Sequence, residues 1–200
     1  MNKLSNDRIA EIARQNGIQP AALLAVKLIE SGQRSGFLDS GNPQVLFEGH
    51  IFYKLLVQHR KDLKISELMA KNKNLIYPKW TKIYYKGGEG EWQRLMKARQ
   101  IDKNLADQSA SWGMFQIMGF NFKTTGCKSI EEFVEKMCSG PESQLQLTVN
   151  FIKKNGMDKL LNQHQWAKFA KWYNGSGYAA NKYDVKLQAA YTNYSRIYPK

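Results

Sequence analysis

Hydrophobic positions recur at helical spacing along most of the chain. Ile9, Ile12 and Ala13 share one face of a first helix that Ser5 or Asn6 caps and Gly17 stops. Pro20 suits the first turn of a second helix. From Ala21 to Glu30 that helix is apolar almost all round, which predicts burial in the core. A polar, Gly-rich loop follows, through Asn42-Pro43. Phe47, Ile51, Phe52, Leu55 and Leu56 predict a third helix from near Phe47 to about Arg60. Residues 62–79 read as a weaker helix and a connector ending at Pro78. The aromatic stretch from Trp80 to Tyr85 closes on Gly87-Gly88, which allows either a short strand with a turn or a loop.

Beyond it, Trp92, Leu95, Met96, Arg99 and Leu105 make Glu91 to Leu105 helical. Ser129-Ile130-Glu131-Glu132 has the form of a capping box for a helix to about Met137. Pro141 opens another, carrying Leu145, Leu147, Val149 and Ile152. A further helix covers roughly His164 to Trp172. Residues 178–197 give a last amphipathic helix with Tyr183, Leu187, Ala190, Tyr191, Tyr194 and Ile197 on one side. The expected fold is mainly α, a single domain over residues 1–200, with at most a short β-hairpin or irregular stretch near 80–90. No composition break suggests a linker or a second domain.

Composition adds limits. In 200 residues, 42% hydrophobic and 24% charged, the chain is an ordinary globular one and not a disordered or disulfide-dense scaffold. The apolar run Ala21 to Ile29 is broken by Lys27 and is too short to span a bilayer. Met1 to Glu11 carries Asp7 and Glu11 and lacks the apolar core of a secretory signal. Cys127 and Cys138 match neither a CxxC redox motif nor a zinc knuckle, and are expected to be reduced, partly buried thiols. His50, His59 and His164 are scattered, so no metal and no cofactor is expected.

Charge changes the picture more. Thirty Lys and Arg against 17 Asp and Glu leave +13, a field that favours a polyanionic partner. Ten Tyr and five Trp suit a site that stacks flat rings, sugars or bases. A non-enzymatic, basic nucleic-acid-binding module fits these two numbers. Against it, the cations spread along the whole chain, and no nucleic-acid motif of known spacing appears.

The chemistry candidates begin with Glu30, which ends the buried-looking helix beside Gly32. Partial desolvation and the negative end of the helix dipole would both raise its pKa, as a general acid needs. The plainer reading is a glutamate leaving the helix into solvent. Glu48 falls in the first turn of the expected third helix, where the dipole favours a carboxylate. It is either an ionised partner of Glu30 or a structural anchor beside the cleft. Asp39 and Asp102 are further carboxylates that could face the same cleft. The run Ser109 to Gly119 reads as a tightly packed helix start with Ser111 and Gln116 as polar groups among apolar neighbours. In Lys171-Trp172-Tyr173-Asn174-Gly175, Asn-Gly is first a helix stop, and Tyr173 and Asn174 can also present a phenol and an amide to a ligand.

Taken in order, Ile29-Glu30-Ser31-Gly32, Leu46-Phe47-Glu48-Gly49-His50, Tyr85-Lys86-Gly87-Gly88, Arg94-Leu95-Met96-Lys97-Ala98, the 109–119 run and 169–175 resemble the N-acetylmuramidase family of phage and prophage endolysins, within the lysozyme-like superfamily. The resemblance extends from about Leu4 to Tyr191. It implies a catalytic glutamate at Glu30 and a peptidoglycan groove bordered by Ser111, Gln116, Tyr173 and Asn174. The activity it implies is hydrolysis of the β-1,4 bond between N-acetylmuramic acid and N-acetylglucosamine, causing lysis. A lytic transglycosylase, using the same glutamate with the muramyl 6-hydroxyl in place of water, is the alternative. Gln33 departs from the family pattern, which usually has a second Gly after Glu-Ser-Gly. Implied partners are peptidoglycan strands and, through the basic surface and last helix, the anionic outer membrane or lipopolysaccharide, with no nucleic acid. The protein is expected to act as a monomer, made in the host cytoplasm and released to the periplasm and wall.

Overall fold

The computed structural model describes residues 4–31, 36–175 and 179–199, the side chains of Ser31 and Asn174 excepted. Gln33 and Tyr178 lie outside the described residues. The first helices are α1 (Asn6–Gln15) and α2 (Pro20–Ser31), and Ser5 caps α1 by accepting a hydrogen bond from the Arg8 N–H. As the apolar run predicts, Leu23, Leu24, Ala25 and Val26 of α2 are fully buried. Each such leucine contributes roughly 1.5–3 kcal/mol by leaving water. α2 is the axle of the fold, packed against α1 and, more extensively, against the last helix.

Next come β1 (Val45–Phe47), α3 (Gly49–His59) and α4 (Ile65–Lys71). The third helix therefore starts at Gly49 and not near Phe47, which is a strand residue. Gly49 is required there, because a Cβ would lie 2.4 Å from the Tyr77 ring and 2.5 Å from the Leu75 carbonyl. Residues 80–87 hold no strand. A turn closed by the Tyr85 N–H on the Lys82 carbonyl leads directly into α5 (Gly88–Gln108). α5 breaks at Asp102, whose φ of −158° is extended. The Asp102 carboxylate accepts from the Leu105 N–H at 2.9 Å, capping the second half of the helix, and pairs with Arg60 at 2.6 Å. Asp102 is thus committed to the helix break and does not face the cleft.

The run after α5 is a hairpin, not the expected helix start. β2 (Ala110–Trp112) and β3 (Ile117–Met118) join β1 in an antiparallel sheet of order β1-β2-β3. Val45 pairs with Trp112, and Trp112 with Ile117. All three residues of β2 are buried, so no hydrophobic alternation announces the strand. Gly113 and Gln116 take left-handed φ of 71° and 50° in the turn.

The remainder is helical: α6 (Ile130–Ser139), α7 (Pro141–Lys154), α8 (Met157–Asn162), α9 (Trp166–Asn174) and α10 (Tyr183–Ser195). α8 has no counterpart among the expected elements. At the predicted capping box the Ser129 hydroxyl accepts from the Glu132 N–H, but Glu132 returns the bond to the Lys128 N–H, one residue early. In α10, Tyr183, Leu187 and Ala190 are buried, mostly on α2, while Ile197 lies past the helix and is exposed. Cys127 is buried and neither it nor Cys138 is in a disulfide; burial pushes both thiols up. No helix among the described residues is long and apolar enough to cross a membrane.

Candidate active site

Three walls meet where α2 ends. Glu30 projects from the last turn of α2 into a cleft of about 320 Å³. Leu38, Gln44 and Val45, on the way into and along β1, form one wall; Met114 and Gln116, from the β2–β3 turn, form the second; Gly88, at the start of α5, closes the third. The lining is mixed, with one carboxyl among amides and apolar groups, an arrangement suited to a polar, uncharged polymer such as a glycan.

Two phenols flank the acid. The Tyr183 hydroxyl of α10 donates to Glu30 Oε1. The Tyr173 hydroxyl of α9 donates to the Phe115 carbonyl at 3.3 Å. Its pKa is pushed well above the ordinary tyrosine value, first by burial and then by the negative charge of Glu30. Both effects favour the neutral, hydrogen-donating form of Tyr173.

The expected polar residues take different places. Gln116 is exposed and lines the cleft; its amide N–H donates to the Gly113 carbonyl at 2.9 Å, and its oxygen accepts from Ser111 Oγ at 2.8 Å. Ser111 is buried in β2 and fixes Gln116 from behind. Asn174 ends α9, and its side chain lies outside the described residues. Asp39 is exposed in the turn next to Leu38 and is not among the residues that line the cleft.

Glu48 is the N-cap residue of α3, yet its side chain makes no capping bond, so the expected helix-dipole role is not what holds it. Both of its oxygens accept from the Tyr85 hydroxyl, at 2.9 and 2.7 Å, and His50 Nδ1 lies 3.2 Å away. Burial, followed by the bond to Glu48, pushes the Tyr85 pKa up. Through Tyr85, Glu48 fastens the segment that delivers Gly88 to the cleft.

Two buried polar devices that support these walls escape a reading of hydrophobic spacing. Gln144 of α7 is fully buried; its oxygen accepts from the Met114 N–H at 2.8 Å and its amide donates to the Met137 carbonyl at 2.8 Å. It packs so closely on Gly36 and Gly113 that a Cβ at either would lie under 3 Å from it. Glu91 and Arg94 form a buried pair at 2.8 Å. Glu91 also accepts from the N–H groups of Phe47 and Lys86, and Arg94 donates to the carbonyls of Phe47 and Asn74. The pair clamps β1 to the segment before α5. The available signal was positional: Gln144 and Thr148 lie four apart beside Leu145 and Ile152, and Glu91 and Arg94 three apart beside Leu95, so both pairs fall on core-facing stripes.

The N-acetylmuramidase family model matches residues 19–195. Among solved structures, the crystal structure of the Burkholderia AP3 phage endolysin is similar, with 37% identity and a TM-score of 0.88 over 97% of this chain and 72% of that one. No curated protein matches the sequence.

Proposed function

The chain belongs to the N-acetylmuramidase family and is a glycoside hydrolase acting on peptidoglycan, and from that premise we propose that Glu30 is the acid that cuts the glycan. The observation that carries this assignment is the position of Glu30, the one carboxylate lining the cleft among the described residues.

In the proposed reaction a glycan strand lies across Glu30, bordered by Gln116 and Tyr173. The protonated Glu30 gives its proton to the oxygen joining N-acetylmuramic acid to N-acetylglucosamine. The bond breaks through an oxocarbenium-like centre, water adds at the muramic C1 and gives its proton to the Glu30 carboxylate, and a reducing end is left. Tyr183 orients the carboxyl by donating to it, and Tyr173, whose hydroxyl is bonded to the Phe115 carbonyl, stands near it from a second helix. Glu48 holds the cleft's third wall through Tyr85, and the anchor role fits its partners better than that of a second reacting carboxylate.

The wider reading is an endolysin that causes lysis, made in the host cytoplasm and reaching the wall through a membrane lesion made by another protein. A charge of +13 draws it to anionic wall and outer-membrane polymers, with the exposed Lys182, Lys186 and Arg196 contributing from around α10. The described lining of the cleft comes from one copy of the chain, which suits action as a monomer. Glu30→Gln tests the assignment. It keeps the shape and hydrogen bonding but has no acid proton, so lysis of purified walls should fall ~10²–10⁴-fold with helix content unchanged. A variant that keeps wild-type lysis removes Glu30 from the reaction.

A further inference from the structure

Between Glu67 and Glu89 the chain carries five lysines, Lys71, Lys73, Lys79, Lys82 and Lys86, and no carboxylate. All five are exposed. At the centre of this stretch two large apolar side chains stand in water: Trp80 is 57% exposed and Ile83 74%, the most exposed large hydrophobic residue among those described. The Lys82 ammonium lies 5.9 Å from the Trp80 ring centroid.

The segment is held firmly from beneath. The Tyr84 ring packs 5.0 Å from that of the buried Tyr77, the Tyr85 hydroxyl donates to Glu48, and the Lys86 N–H donates to the buried Glu91 at 2.6 Å. The Ile83 N–H donates to Thr81 Oγ1 and the Tyr85 N–H to the Lys82 carbonyl. A fixed backbone thus presents an indole and a branched aliphatic group outward, and neither adds to the core.

We propose that residues 79–86 dock onto an anionic lipid surface, with Ile83 and Trp80 entering the interfacial layer and the lysines meeting headgroup phosphates. Three features select this occupant. Indole rings favour the membrane interface, where one edge stays polar. Lysine stems can lie along acyl chains while their ammonium groups reach phosphate. Apolar burial and attraction to anionic lipid add in such binding. A glycan would use the face of Trp80 but offer Ile83 no apolar surroundings. The proposal deepens the anionic-surface reading above and rests on it. Gly88, two residues beyond Lys86, lines the cleft, so a docked molecule holds its cleft beside the lipid surface.

The test uses the full chain with vesicles of phosphatidylglycerol mixed with phosphatidylcholine, and of phosphatidylcholine alone, read by co-sedimentation. Wild type should prefer the anionic vesicles, and Ile83→Ser should bind them ~10-fold or more weakly, the least expected for losing one buried aliphatic side chain. Its lysis of purified peptidoglycan should be unchanged. Brominated acyl chains should quench wild-type tryptophan fluorescence, and Trp80→Phe should lose that quenching. If Ile83→Ser binds as wild type and quenching is absent, attraction is by net charge alone: the docking segment falls while the anionic-surface reading stands. If wild type shows no preference for anionic vesicles, both fall. Parallel loss of vesicle binding and peptidoglycan lysis in Ile83→Ser would make the segment a glycan subsite and overturn the proposal.

Discussion

Glu48 and Glu30 are both carboxylates at helix ends, yet their partners separate them. Glu30 sits at the C-terminal end of α2, accepts from one phenol and opens to a cleft. Glu48 is only 14% exposed and is engaged by Tyr85 and His50. Glu48→Gln leaves one acceptor for Tyr85 and removes the charge that strengthens its bond. A hydrogen bond to a charged group contributes about 1.5–3 kcal/mol. The substitution should cost part of that, and in a chain of this size lower Tm by about 2–8 °C. Lysis should drop only modestly, because Gly88 is still delivered to the cleft by the Glu91 clamp. A Glu48→Gln protein that melts like wild type and is inactive would place Glu48 in the reaction and exchange the two roles.

At the scale of elements, α10 tests how far the end of the fold that carries Glu30 depends on its last helix. Its buried residues pack on α2, and its Tyr183 reaches Glu30. Deleting residues from Tyr178 onward would expose the apolar side of α2 and remove a donor from the acid. The expected outcome is loss of the cooperative thermal transition and of helical circular dichroism beyond the deleted residues' share. A truncated protein that stays folded and lyses purified walls would show α10 to be an appendage, and would favour the membrane role its outward cations suggest.

The same helix shows what hydrophobic spacing conveys. The stripe Tyr183, Leu187, Ala190 was legible because burial repeats each turn, and so were α1, α2, α6 and α7. β2 was not, because Ala110, Ser111 and Trp112 are all buried and strand alternation is erased. The kink at Asp102 was hidden because a capping aspartate in mid-helix looks like any exposed acid. Glu30, Gln116 and Tyr173 could be singled out as candidates because three short motifs occur in order, and Glu30 and Gln116 do line one cleft. The sequence could not reveal Gln144 or the Glu91–Arg94 clamp as supports of the cleft, since their partners are backbone groups distant along the chain.

On the scale of the whole molecule, charge and catalysis are separable. If the +13 field steers the enzyme to an anionic wall, raising salt past the range where the Debye length is ~10 Å should slow wall lysis. Cleavage of a short, neutral chito-oligomer should change less. Equal salt sensitivity for the two substrates would remove steering from the account.

The central claim is that this molecule adds water across the muramyl bond by means of a cleft built around Glu30. Mass spectrometry of purified peptidoglycan digested to completion reads the bond and the nucleophile together. Hydrolysis by Glu30 should yield disaccharide fragments ending in reducing N-acetylmuramic acid, absent from a digest with Glu30→Gln. Fragments ending in 1,6-anhydromuramic acid, or reducing N-acetylglucosamine ends, would contradict it.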